Sequence, residues 1–92
     1  MTNLTIVIPA KYESESLPTV LSQFINKNYE ILVVLEKSDF KTIEAIKNKN
    51  CKIIYQTKKG FGNALIEGIN NSKTEFFCIF NADGSMEINE ID

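Results

Sequence analysis

The chain has 92 residues, 43% hydrophobic and 24% charged, with a net charge of -2 and no histidine. That length allows a single domain spanning 1–92 with one core, hiding only about 60–65% of its unfolded surface. The balance excludes a disordered chain and a basic nucleic-acid binder, and the missing histidines exclude histidine acid/base catalysis and histidine-ligated zinc.

Leu4 to Ile8 (LTIVI) is the first predicted strand, and Pro9-Ala10 should stop it because proline donates no hydrogen bond. Leu17, Val20, Leu21, Phe24 and Ile25 recur at the spacing of a one-faced helix, with Ser16 placed to cap it and Pro18 suited to its first turn. Asn26 to Asn28 closes that helix, and Ile31 to Leu35 (ILVVL) follows as a β-branched strand covered on both faces. Ser38 is the expected cap of a second helix whose buried side is Phe40, Ile43 and Ile46, with Lys47 and Lys49 at the negative end of its dipole.

Cys51 reads as a free thiol before a short third strand, Lys52 to Tyr55. A basic, glycine-bearing link, Gln56 to Asn63, leads into a third helix carrying Ala64, Leu65, Ile66, Gly68 and Ile69. Ala64 and Gly68 are small and four apart, so one side of that helix can press close to a sheet. Phe76 to Phe80 is an unbroken apolar run, expected as a strand buried on both faces with Cys78 as a packing residue. A further helix could be starting in the acidic tail, Glu87 to Asp92, and the chain reads there as unfinished.

The order is β-α-β-α-β-α-β, which implies an α/β fold with a mainly parallel sheet, right-handed crossovers and helices on both faces. Parallel strands bring their carboxyl ends to one edge, where open α/β sheets bind ligands. Pro9 to Glu13, Glu36 to Ser38, Thr57 to Gly62 and Asn81 to Ser85 should converge there. A carboxylate at Glu36 can accept hydrogen bonds from a nucleobase or ribose, or it is a solvated loop charge. Lys58 and Lys59 can balance a diphosphate and Gly60 and Gly62 let backbone approach it, unless the glycines serve only to turn the chain. Asp83, helped by Asn81 or Ser85, offers hard oxygen ligands to Mg2+ or Mn2+, although Asn-Ala-Asp-Gly-Ser also favours a plain turn.

Together these segments resemble family 2 glycosyltransferases, whose domain has the GT-A fold. Ile6 to Glu13 (IVIPAKYE) resembles the opening IPAxNE-type segment, and Glu30 to Ser38 (EILVVLEKS) resembles the second strand and its DDxS segment. Gly60 to Gly68 (GFGNALIEG) is similar to the GxGxAL-type third helix. Asn81 to Ser85 (NADGS) matches the metal-binding DxD, most closely the DADGS form of polyprenyl-phosphate sugar transferases such as dolichyl-phosphate mannose synthases. Three positions depart from the pattern: Asn81 replaces the first Asp of the DxD, Leu35 the first acid of DDxS, and Tyr12 the usual Asn.

The resemblance implies a truncated GT-A fold, a Rossmann-like three-layer sandwich that forms the nucleotide-sugar-binding half of a transferase. It implies that Pro9, Ala10, Glu13, Glu36, Lys58, Gly60, Asn81 and Ala82 border the nucleotide of a UDP- or GDP-sugar. Asp83, with Asn81 and Ser85, would hold Mg2+ or Mn2+ for sugar transfer to an acceptor, a polyprenyl phosphate among the candidates. The acceptor pocket and general base are expected beyond Asp92, so the isolated chain should turn over little or nothing. The expected location is cytoplasmic, or peripheral to the inner face of the membrane. A nucleotidyltransferase would instead open with a glycine-rich loop, which Pro9 to Glu13 lacks. An unrelated flavodoxin-like domain fits the element order but not the four motifs. The remaining alternative is a non-catalytic or partner-dependent half-domain, pairing with itself or a complementing chain through the exposed edge of the last strand.

Overall fold

A computed structural model describes residues 4–86. The tail from 87 onward, where a further helix was conceivable, lies outside them. Strands β1 (Leu4–Pro9), β2 (Glu30–Leu35), β3 (Lys52–Tyr55) and β4 (Phe76–Ile79) alternate with helices α1 (Leu17–Ser22), α2 (Phe40–Ile46) and α3 (Phe61–Asn70). All three strand pairings are parallel, in the order β3-β2-β1-β4. The chain steps outward from β1 to β3, then returns past β1 to place β4 on its other side. Right-handed crossovers put α1 and α2 on one face, and the reversal of direction sends α3 to the opposite face. The result is a three-layer α/β sandwich.

Alternation along the strands divides the core. Ile6, Ile8, Ile31, Val33 and Leu35 face α1 and α2, where Leu17, Val20, Leu21, Phe24 and Ile46 cover them. Val7 and Val34 face α3 and meet Ala64. A Cβ added at Gly68 would stand 2.5 Å from Val7 Cγ1 and 2.9 Å from Val34 Cγ2, so this glycine sets how close α3 lies to the sheet.

The element order holds, while several local expectations are corrected. β1 continues through Pro9, opposite Val34. Ala10 N–H donates to the Val34 carbonyl (2.9 Å), so alternation turns Pro9's missing donor toward β4, whose ladder has already ended with Phe80 N–H on the Val7 carbonyl (3.0 Å). α1 stops at Ser22, and the chain proceeds in tighter turns, with Phe24 N–H bonding Leu21 O (3.0 Å) and Lys27 N–H bonding Phe24 O (3.0 Å). This winding buries Phe24 and exposes Ile25.

Ser16 occupies the N-cap position of α1 without capping it. In α2 the cap position belongs to Asp39 rather than Ser38, and the buried residues are Thr42 and Ile46. Phe40, expected inside, is 75% exposed. Lys47 pairs with Glu44 (2.7 Å), and Lys49 lies past the helix end. Among the described residues β4 is an edge strand rather than one buried on both faces, with Phe76 58% and Phe77 48% exposed. Only Phe80, just beyond it, is fully buried, edge-on to Phe24 at 5.1 Å between ring centres. Cys78 is correspondingly only partly buried, as is Cys51, and both are free thiols.

Candidate functional site

The parallel strands bring their carboxyl ends to one edge, where the amino end of α3 stands beside the loops that follow β1, β2 and β4. Two adjoining compartments lie there. One, of about 250 Å3, is lined by Pro9, Ala10, Lys11, Glu36, Gln56, Gly60, Phe61 and Ala64. The other, of about 230 Å3, is lined by Pro9, Lys11, Glu13, Phe61, Asn81, Ala82 and Asp83. Pro9, Lys11 and Phe61 belong to both, so the crevice runs from Glu36 to Asp83 across the ends of β2, β1 and β4.

Each wall is held by identifiable bonds. The first loop leaves β1 with Tyr12 at φ 56°, a left-handed conformation that costs a non-glycine residue about 1–2 kcal/mol. Two side chains of α2 secure it: Tyr12 N–H donates to Asp39 Oδ2 (2.8 Å), and Glu13 N–H to Thr42 Oγ1 (3.1 Å). That is why Asp39 and Thr42 are buried polar residues, and why Asp39 does not cap its own helix with its side chain. Tyr12 itself points outward, with Lys11 Nζ 5.7 Å from its ring centre. Ser16 links the first and last loops, its hydroxyl donating to the Ala82 carbonyl (2.7 Å) and lying 3.2 Å from Glu13 Oε2.

Asp83 sits in a tight turn completed by Gly84 at φ 83°. The Ser85 hydroxyl and its backbone N–H (2.9 Å to Oδ1) hold the Asp83 carboxyl below the usual aspartate range. Asn81 directs its amide nitrogen to Ser85 Oγ (3.3 Å). The donor set is thus one ionised carboxylate, an amide oxygen and a hydroxyl, all hard oxygens suited to Mg2+ or Mn2+. No three Asp, Glu, His or Cys side chains are gathered into a metal-binding group among the described residues. Such a set fits an ion that keeps water and phosphate oxygens in its shell, and does not fit a cage built of protein alone.

Gly60 opens α3 at φ 105° and ψ 152°, a region essentially restricted to glycine. Of the residues singled out from sequence, Pro9, Ala10, Glu13, Glu36, Gly60, Asn81, Ala82 and Asp83 line the crevice, while Lys58 and Ser85, both exposed, do not. Lys11, Gln56, Phe61 and Ala64 line it without having been singled out. Lys11 and Phe61 both lay within segments expected to converge there, Pro9 to Glu13 and Thr57 to Gly62, without a role of their own; Phe61, read as part of the link, opens α3. A separate cavity of about 220 Å3, between Pro18, Leu21, Phe24, Ile25, Ile31 and Lys49, shares none of the candidate site residues.

An open parallel sheet with a crevice at the carboxyl ends of its strands is the arrangement in which α/β folds commonly bind ligands. The sequence profile of glycosyl transferase family 2 matches residues 5–91, and the chain belongs to that family. It is 31% identical over 88 residues to an uncharacterized glycosyltransferase of Mycobacterium bovis, covering 96% of this chain and 40% of that protein. It is 34% identical over 99 residues to the dolichyl N-acetyl-alpha-D-glucosaminyl phosphate 3-beta-D-2,3-diacetamido-2,3-dideoxy-beta-D-glucuronosyltransferase of Methanococcus voltae, covering 95% of this chain and 31% of that protein. A dolichol-phosphate mannosyltransferase of Pyrococcus furiosus is 32% identical over 89 residues, covering 87% and 25% respectively. The chain therefore spans well under half the length of these relatives. Among the described residues no helix is long and apolar enough to cross a membrane.

Proposed function

We propose that the crevice binds a nucleoside diphosphate sugar, UDP- or GDP-linked, and that the domain serves transfer of the sugar to an acceptor. The observation that carries this reading is the continuity of the crevice, with one carboxylate, Glu36, at one end and another, Asp83, at the other. Pro9, Ala10 and Gly60 form the wall along which the nucleoside lies, Glu36 accepts its hydrogen bonds, and Lys11 brings positive charge between the two compartments. Asp83 and Asn81, with Ser85 bonded to Asp83 beside them, would hold Mg2+ or Mn2+. A bound divalent ion supplies charge neutralisation on the leaving diphosphate, worth several kcal/mol at the transition state.

The acceptor we favour is a polyprenyl phosphate, in keeping with the dolichyl-linked names of two relatives. A phosphate acceptor is already ionised and dispenses with the general base an alcohol requires. The corresponding location is cytoplasmic, at the inner face of a membrane.

A second reading, a non-catalytic or partner-dependent nucleotide binder, is favoured by Leu35, which replaces an acid and is completely buried, and by Asn81. The exposed edge and phenyl rings of β4 are the surface through which such a half-domain pairs with itself or a complementing chain. Amide NMR separates binding from its absence. UDP or GDP should shift Ala10, Glu36 and Gly60, and Mn2+ added with the nucleotide should broaden Ala82 to Ser85. Shifts confined to the cavity beside Lys49 would refute the assignment.

A further inference from the structure

The loop from β3 to α3 carries Gln56 and Gly60 into the crevice wall, and one side chain outside the crevice organises it. Glu67 Oε1 accepts the Thr57 N–H (3.0 Å) and the Thr57 hydroxyl (3.2 Å). Its Oε2 accepts the Thr57 N–H (3.1 Å) and the Lys58 N–H (3.2 Å). The loop then closes on itself. Gln56 Nε2 donates to the Lys58 carbonyl (2.8 Å) and the Gly60 carbonyl (3.2 Å), and Asn63 Nδ2 donates to the Lys59 carbonyl (2.8 Å).

Glu67 immediately precedes Gly68, where α3 lies close against Val7 and Val34. Its carboxylate thus projects from a closely seated part of α3 and transmits that position to the backbone at 57–58. We propose that Glu67 is a positioning residue for the donor crevice, locking the Gln56–Gly60 loop in the shape that lines it; this rests on the donor-site reading above.

Surface glutamates on helices commonly pair with lysines for little gain. Here the partners are two backbone N–H groups and a hydroxyl, which need one fixed carboxylate orientation. The Thr57 N–H, aided by the Lys58 N–H, the Thr57 hydroxyl and the Lys58 charge, holds the Glu67 carboxyl below its ordinary range despite some desolvation, so it is ionised at neutral pH. Backbone donors left without this acceptor turn to water, and the loop gains freedom that a ligand must then remove on binding.

The experiment compares wild type with E67Q, E67D and E67A by amide hydrogen exchange without ligand and by titration with UDP and GDP in Mn2+. E67Q keeps the size of the side chain and loses its charge and one acceptor, whereas E67D keeps the charge on a shorter stem. In E67Q and E67A the Thr57 and Lys58 amides should exchange faster while those of Val33 and Val34 keep their protection. Nucleotide affinity should fall by about tenfold, the loss expected for one charge-assisted hydrogen bond, with E67D in between.

Unchanged exchange at Thr57 and Lys58 would overturn the lock. Faster exchange with undiminished affinity, in a protein whose wild type binds, would overturn the positioning role and leave the donor site standing. A folded wild type that binds neither nucleotide would overturn the donor-site reading, and this inference with it.

Discussion

Gly68→Ala is the sharpest test of how α3 is seated. The added methyl would lie 2.5 Å from Val7 Cγ1 and 2.9 Å from Val34 Cγ2, far inside contact distance. Both valines are fully buried and belong to the two central strands, so neither can swing into open space. Overpacking of this kind costs about 1–3 kcal/mol. Alanine recovers about 1 kcal/mol of helix propensity, and because the clash involves two branched side chains the upper part of the range applies, leaving a net loss of about 1–2 kcal/mol. In a domain of this size that lowers the melting temperature by roughly 4–16 °C.

Gly62→Ala is the control on the same helix, because a Cβ there meets nothing within 4 Å. It should stabilise by about 0.5 kcal/mol. Urea denaturation of both variants, read as the shift in midpoint at constant slope, measures the difference. Equal stabilisation by both alanines would refute the close seating of α3 on β1 and β2.

Tyr12→Asn should stabilise the fold by up to about 1 kcal/mol, read as a raised denaturation midpoint, because asparagine tolerates the left-handed backbone at φ 56° that tyrosine occupies under strain; a lowered midpoint would contradict the strain. The Asp83 carboxyl should titrate below the ordinary aspartate value of 3.8, and Ser85→Ala should raise its midpoint, both measured on the carboxyl carbon by NMR. Because folding lowers this pKa, the Asp83 contribution to stability is present above the unfolded value and is lost as pH falls through the lower folded one. A wild-type midpoint at or above 3.8 would sink the Ser85 argument.

Strand and helix order was legible because hydrophobic period is a local property: ILVVL and LTIVI can be buried only between two helical layers. The convergence of the four loops followed from parallel strands alone. What failed was whatever depends on a partner distant in sequence. Phe40 fitted the helical spacing, yet Thr42 was drawn inward to accept the Glu13 N–H, and that rotation of α2 left the ring outside. Ser16 looks like a cap, but its hydroxyl is recruited 66 residues away by the Ala82 carbonyl. The five-residue apolar run suggested a central strand, and only the chain's return past β1 makes β4 an edge. Tyr12 was visible as a departure from the family's asparagine, and the backbone angle supplies the reason asparagine suits that position. Lys11 and Phe61 lie inside recognised segments but at positions to which no role was assigned, and they enter the crevice from the first loop and the first residue of α3.

Calorimetric titration of the purified chain with UDP, GDP and UDP-glucose, with and without Mn2+ and beside an Asp83→Ala variant, tests the donor site most directly. The expected result is binding of one nucleotide class that depends on the metal and disappears in the variant while its melting temperature holds. Binding that ignores both the metal and Asp83, or no binding by a folded wild-type chain, would contradict it.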